Sequence, residues 1–296
     1  MTFSKKRSIG DSIFLLINGL LISVLTLFFL YPLWHVIMAS FSEPSSLMAH
    51  TGLLLKPTGF SLEGYKTVLA RKSIWVGYGN TLFYVIVGTA INVIMTSLGA
   101  YVLSRRDLKL KKVMSLLIVI SMYINGGMIP NFLVVRYLGL YDTRWALILP
   151  GVIGTWNMIV LRTSFNQIPH ELEESAMIDG ANDAVVLFRI IFPVAKATIM
   201  VIALFYAVSH WNAWFSASIY LQDRGKWPLA LYLREILLQN VMSSMDADVN
   251  EIGGTFNLDE LIKYCTIVVT TLPILCVYPF VQKYFVKGVM LGSLKG

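Results

Sequence analysis

The sequence is short of charge. Of 296 residues only 14% are Asp, Glu, Lys or Arg, whereas 56% are hydrophobic, and mean hydropathy is +0.67. Soluble domains carry about a quarter charged residues, so this composition excludes an ordinary soluble enzyme or binding module. It indicates a polytopic membrane protein with one membrane domain. Cysteine is nearly absent as well. Cys265 and Cys276 have no metal-ligand spacing and offer no disulfide framework, and both read as small core residues. The four histidines, His35, His50, His170 and His210, are scattered, with no HExxH pair. There is no Gly-x-Ser-x-Gly elbow and no Gly-x-x-x-x-Gly-Lys-Ser/Thr phosphate loop. The chain therefore lacks catalytic residues, a metal site and a Walker site of its own. No internal repeat or low-complexity segment stands out.

Six apolar segments are near the roughly 20 residues a membrane span needs. They are 13–37, 80–103, 113–133, 145–166, 196–219 and 264–285. The middles of all six lack Asp and Glu, which speaks against proton or sodium coupling through intramembrane carboxylates. Lys5, Lys6 and Arg7 precede an apolar run from Ile13 to Trp34. That run exceeds the roughly 7–15 residues of a signal h-region, so it reads as a retained first span. Arg105, Arg106, Lys109, Lys111 and Lys112 crowd the loop after the second span. The positive-inside rule makes that loop cytoplasmic, together with both termini, the second of which carries Lys283, Lys287 and Lys295. The formal charge of +7 reflects this flanking and implies no nucleic acid.

The chain then divides into three parts. Residues 1–79 hold the first span and a long external loop, in which Leu62 to Leu69 reads as a short surface helix. Residues 80–285 form the transmembrane core, with a cytoplasmic hairpin at 168–193 and an external loop at 220–263. Residues 286–296 are a cytoplasmic tail. Within the long external loop, Leu229 to Val241 is too short to span and is interrupted by Arg234 and Glu235. It reads as an external helix resting on the bundle or on a partner. The stretch from Ser243 to Glu260 holds five acids and Gly253-Gly254 and reads as a mobile loop. Breakers interrupt several spans, among them Gly88, Gly99, Gly126-Gly127, Pro130, Pro150-Gly151 and Gly154. They suit a bundle that moves, although static bundles use them too.

One stretch departs from the apolar background. Gln167 to Pro193 reads QIPHELEESAMIDGANDAVVLFRIIFP, with acids at Glu171, Glu173, Glu174, Asp179 and Asp183. Pro169 suits a first helical position, and the glutamates behind it suit the positive end of a helix dipole. Leu172, Ala176 and Met177 recur as an apolar stripe. Gly180 suits a left-handed cap, Asn182 or Asp183 can start a second helix, and Pro193 marks the junction with the next span. Arg162, at the cytoplasmic end of the fourth span, can snorkel or pair with this island. Residues alone leave two readings open: a solvated amphipathic hairpin, or a docking element for a cytoplasmic partner.

The spacing of Glu174-Ser175-Ala176, Asp179-Gly180-Ala181, Phe188, Ile191 and Pro193 resembles the EAA loop of ABC importer permeases. The likeness continues through Ile129-Pro130, Leu138-Gly139-Leu140, Thr143, Leu149-Pro150 and Leu161-Arg162. It covers most of the chain from Asn80 onward and is greatest to the maltose-permease-like, sugar-importing branch. Ser175 stands where the motif usually has Ala. The resemblance implies an all-α, six-span permease of the type I ABC importer fold in a bacterial plasma membrane. It implies a homologous permease as heterodimer partner, two ABC ATPase subunits that carry ATP and Mg, and an extracytoplasmic solute-binding protein. No cofactor is expected on this chain. The loop would seat in a groove of the ATPase, and the ending Gly288 to Gly296 would insert between the two ATPase subunits.

The substrate implied is a sugar, most naturally an oligosaccharide. A plant or bacterial polysaccharide fragment, uronic-acid-containing ones included, is the narrower expectation. The candidates for contact are Trp211, Asn212 and Trp214, whose rings and amide suit sugar C–H faces and hydroxyls. An interfacial aromatic belt is the competing reading for the tryptophans. Asn92 and Asn157 are further polar residues inside spans, each equally suited to interhelical glue. His210 reads as a hydrogen-bonded packing residue. The alternatives are an ABC permease for another small solute, such as a polyamine or phosphate, and a secondary carrier or membrane enzyme.

Overall fold

The computed structural model describes residues 9–124, 126–246, 260–277 and 279, without the side chains of 239–246. The tail 286–296 and most of the expected mobile loop lie outside the described residues. Among those residues the fold is all-helical, with one isolated antiparallel bridge between Ser42 and Phe60. In chain order the helices are α1 (Ile9–Ser40), α2 (Pro44–Ala49), α3 (Glu63–Ala70), α4 (Lys72–Phe83), α5 (Thr89–Ser104), α6 (Lys111–Tyr123), α7 (Met128–Tyr137) and α8 (Thr155–Phe165). They continue as α9 (His170–Ile178), α10 (Asp183–Val185), α11 (Phe192–Val194), α12 (Lys196–Trp211), α13 (Trp214–Tyr220) and α14 (Leu229–Asp246), and then α15 (Glu260–Val277). A π-turn at Tyr84–Gly88 joins α4 to α5, and another at Val186–Ile191 joins α10 to α11.

Among the described residues three helices are long and apolar enough to cross a membrane, namely Ile9–Ser40, Lys72–Ser104 and Glu260–Val277. Two bent pairs raise the number to five, α6 with α7 at 114° and Asp183–Val194 with α12 at 90°. The segment expected to span at 145–166 is interrupted instead. It consists of a 3-10 turn at Arg144–Leu147, irregular backbone around Pro150, Gly151 and Gly154, and α8 of 11 residues. A helix of that length rises only about 16 Å, against a hydrocarbon core of about 30 Å.

The described residues fall into two compact units, one within 1–70 and 236–271 and the other within 71–235 and 272–296. In the first, α3 is the expected short helix, exposed at Glu63, Lys66 and Leu69 and packed along its other face. Gly64 comes so close to α15 that a Cβ there would meet Cys265 Sγ at 2.6 Å, and Val68 is fully buried. Tyr65 Oη shares a hydrogen bond with Ser40 Oγ at 2.7 Å, and Cys265 Sγ donates to Ser40 O. Cys265 is thus a core residue as expected, whereas Cys276 is exposed.

The second unit carries the hairpin and the interrupted segment. On the side expected to be external, residues 222–229 are strapped across α4. Asn80 Nδ2 donates to Gly225 O and Trp227 O, and Arg144 Nη2 donates to Asn80 Oδ1. Leu229 and Tyr232 of α14 pack on Gly77, so this helix rests on the bundle. Asp142 holds the strap at its other end. It lies at φ 56°, and its Oδ1 accepts the N–H groups of Gln222 and Asp223 at 3.0 Å each. Lys226 Nζ donates to the Asp142 backbone carbonyl at 2.6 Å.

The Asp223 N–H holds the Asp142 carboxyl below its ordinary range; burial opposes it, and Lys226 and the Gln222 N–H assist. A depressed carboxylate contributes stability above its unfolded pKa and loses it as pH falls through the folded value. Amide exchange at Gln222 and Asp223, corrected for intrinsic rate, should therefore stay slow from neutral pH to about 4 and rise below it. Release already at pH 6 would mean that Asp142 does not hold the strap.

Candidate functional site: an acidic hairpin tied to the end of α5

The hairpin is built locally as its residues dictate. Helix α9 begins at His170, so Pro169 takes the capping position at ψ 132° rather than the first helical one. At its end Gly180 adopts φ +83°. Ala181 N–H donates to Ala176 O at 2.9 Å and Gly180 N–H to Met177 O at 3.0 Å. This pair of bonds closes a helix through a left-handed residue. No atom lies within 4 Å of where a Gly180 Cβ would stand, so the need for glycine is conformational and not steric. Asn182 Oδ1 then accepts Val185 N–H at 2.9 Å and starts the second helix. That helix runs through the π-turn to Val194 and, just past Pro193, turns by 90° at Ala195 into α12. The Ser175 hydroxyl folds back onto Glu171 O at 2.7 Å, so the departure from Ala adds no bulk outside the helix.

The buried face of α9 is not the expected stripe. Leu172 and Met177 are exposed, and the residues turned inward are Glu173 and Ala176. Ala176, Val186, Leu187 and Ile191 form one apolar core with Tyr101 and Leu103 of α5 and Leu161 and Phe165 of α8. Glu173 keeps only 7% of its side-chain surface. Arg105, at the end of α5, donates from Nη1 to Glu173 Oε2 at 2.7 Å and to Tyr101 Oη at 3.1 Å. Tyr101 Oη in turn donates to Asp183 Oδ1 at 3.0 Å. One arginine thus ties both arms of the hairpin to α5. Lys111 Nζ closes the end of α5 by donating to Ser104 O and Arg105 O.

Arg162 was expected either to snorkel or to pair with the island. That side chain instead leaves Nε buried without a hydrogen-bond partner and makes no ion pair among the described residues. The anchoring glutamate was missed because three glutamates lie within four positions. The one available signal was that Glu173 and Ala176 are three apart and share a helix face.

The outward side carries the motif. Glu174, Ser175, Asp179 and Gly180 are exposed, as is Phe188, whose ring lies 5.2 Å from that of Phe192. Ala181 packs on the core beneath. The hairpin therefore presents an acidic, partly aromatic surface from a rigid base.

The remaining candidates are dispersed. Asn92 is buried and its amide is fully committed, donating to Gly151 O and Val152 O and accepting from His210 Nε2. These bonds support the packing alternative for Asn92 and His210. Asn212 is exposed at the end of α12, with Nδ2 on Val208 O at 3.0 Å. Trp211 and Asn157 are half-buried. The Arg234 guanidinium covers one face of the Trp214 ring, 3.6 Å from its centroid. No group of three or more His, Cys, Asp or Glu among the described residues could hold a metal.

The likeness of this all-helical membrane chain to known proteins makes it a transport subunit of the ABC importer class, not an enzyme. The chain belongs to the family of binding-protein-dependent transport system inner membrane components, whose model matches residues 95–291. Members work as multi-pass inner-membrane proteins with a second permease, an ATPase and a binding protein. The polygalacturonan/rhamnogalacturonan transport system permease protein YtcP of Bacillus subtilis (strain 168) is 44% identical over 283 residues, covering 95% of this chain and 98% of that one. Protein LplC of the same organism is 41% identical over 265 residues, covering 90% of this chain and 89% of the relative. A crystal structure of a bacterial ABC transporter involved in the import of the acidic polysaccharide alginate superposes with a TM-score of 0.86 at 32% identity, covering 95% of this chain and all of that one.

The two glutamates should separate in stability. Glu173→Ala leaves Arg105 without its main partner and should cost about 3 kcal/mol, the low end for a buried pair because Arg105 keeps 21% of its side-chain surface. Glu174→Ala removes an exposed group and should cost within about 0.5 kcal/mol. Thermal unfolding in detergent, with amide exchange of the hairpin, compares them. Equal effects would remove Glu173 as the anchor.

Proposed function

We propose that this chain is the permease through which an ATP-driven importer admits acidic oligosaccharides, fragments of a uronic-acid polymer. The observation that carries the substrate class is the 44% identity to a polygalacturonan/rhamnogalacturonan permease over 95% of the chain. Likeness to the alginate importer supports the same chemistry. ATP and Mg belong to two ATPase subunits, and a second, homologous permease completes the pathway. Trp211, Asn212, Trp214 and Asn157 are the residues of this chain proposed to face it.

Coupling runs through the hairpin. Glu174, Asp179 and Phe188 face outward from a base locked by Arg105, and the second arm continues through Ala195 into α12. An ATPase groove that closes on ATP would drag this rigid arm and with it α12. The tail 286–296 is proposed to enter the ATPase dimer, and both termini to face the cytoplasm.

In a strain lacking the chain, uptake of labelled trigalacturonate should be lost and then restored by the native gene. Glu174→Lys and Gly180→Val should reach the membrane yet fail to restore it. The valine variant fails because a β-branched residue resists positive φ. Native uptake by either variant would remove that residue from coupling, and uptake without the ATPase subunit would restore the carrier alternative.

A cysteine at Asn182 should resist an impermeant thiol reagent in intact cells and react in inside-out vesicles. Labelling from outside would invert the proposed topology.

A further inference from the structure

The interrupted segment is held by a feature that coupling through the hairpin does not by itself require. Backbone that leaves helical geometry at membrane depth must find other hydrogen-bond partners. Here two helices supply them in register. Asn92 and Thr96 are four apart on α5, and Tyr206 and His210 are four apart on α12, so each pair shares one helix face. The outer rung joins His210 Nε2 to Asn92 Oδ1 at 2.9 Å, and Asn92 Nδ2 reaches Gly151 O at 2.8 Å and Val152 O at 3.1 Å. Only an amide N–H can serve two carbonyls, so Asn92 Oδ1 is the acceptor and His210 carries its proton on Nε2. The inner rung runs from Gly154 N–H to Tyr206 Oη at 2.7 Å, and Tyr206 Oη lies 2.7 Å from Thr96 Oγ1. All four side chains are buried.

The backbone is shaped to admit this arrangement. A Cβ on Gly88 would stand 2.5 Å from His210 Nε2, and one on Gly154 would stand 3.0 Å from Tyr206 Oη. Gly88 closes the π-turn, a helix irregularity often found at functional sites. Two rungs one turn apart resist both sliding and rotation of α5 against α12, which a single bond would not.

We propose that this two-rung polar ladder makes α5, α12 and the interrupted segment 148–154 one body, so that displacement of α12 by the hairpin moves the break in the fourth segment with it. Tyr206, Thr96 and His210 are then positioning residues for transport and touch no substrate. The proposal rests on the reading of the hairpin as the ATPase-driven element.

The test uses the complete importer in proteoliposomes, with labelled trigalacturonate inside the binding protein and ATP on the ATPase side. Tyr206→Phe removes the inner rung at constant ring volume, and Gly88→Ala pushes the His210 ring off Asn92 without deleting a polar group. Both should raise the ATP hydrolysed per sugar imported by at least about fivefold, the effect of one unmade buried hydrogen bond on an equilibrium. Binding-protein-stimulated ATPase activity should persist. Thr96→Val carries the same expectation should Tyr206→Phe fail to assemble. A native ATP-to-sugar ratio in assembled variants, with or without lower thermal stability, would overturn the ladder and make it packing only. Failure of the underlying reading looks different: Glu174→Lys would then transport normally whatever the ladder variants do.

Discussion

Every backbone polar group in an apolar slab needs a partner, and this chain depends on how it meets that demand. Continuous helices meet it internally, which is why α1 can expose apolar side chains along most of its length. Where Pro150, Gly151 and Gly154 break the fourth segment, helix geometry no longer serves. The amide of Asn92 and the phenol of Tyr206 take over. The strap at 222–229 repeats the solution with Asn80, Thr81 and Asp142, since Thr81 Oγ1 accepts the first N–H of α14 at 2.8 Å. Polar residues in this chain therefore serve irregular backbone first, and a buried Asn is poor evidence of a sugar contact.

The hairpin shows the same economy of polar groups. Its underside is apolar except for Glu173, and that charge is answered by Arg105, which also binds Tyr101. A buried pair of this kind adds little net stability over an apolar contact, but it permits one geometry. The result is a plate with its exposed acids on the side opposite its packed core. Because the second arm turns into α12 within one residue, tilting the plate has little slack in which to dissipate.

Helix α12 is where the two constructions meet. Its start is fixed by the hairpin and its far half carries Tyr206 and His210. Trp211 and Asn212 close its end and Trp214 opens the next helix, three of the four residues proposed to face the substrate. The charges expected to matter for transport thus lie at the hairpin, while the middle of α12 contributes neutral hydrogen-bonding groups. This division matches the absence of Asp and Glu from the predicted span interiors.

Class, most apolar segments and the hairpin's turn chemistry were legible in the residues, because each depends on local signals. Hydropathy needs only a window of neighbours, Gly180 needs only its own φ, and Asn182 needs only the N–H three residues on. The pairings were not legible. Arg105 finds Glu173 across 68 positions, and Asn92 finds His210 across 118. Adjacent glutamates look alike until packing decides which faces the core. The fourth segment passed as a span because Leu, Ile and Val surround its breakers, and hydropathy cannot tell a helix from irregular backbone with the same side chains. Composition and local stereochemistry determined that this chain is a polytopic membrane protein with a capped acidic hairpin, and the likeness of that hairpin and its flanks to ABC importer permeases pointed to a transport subunit. Tertiary contact alone decided which polar groups hold the structure, since a buried donor's partner is set by three-dimensional proximity and not by sequence distance.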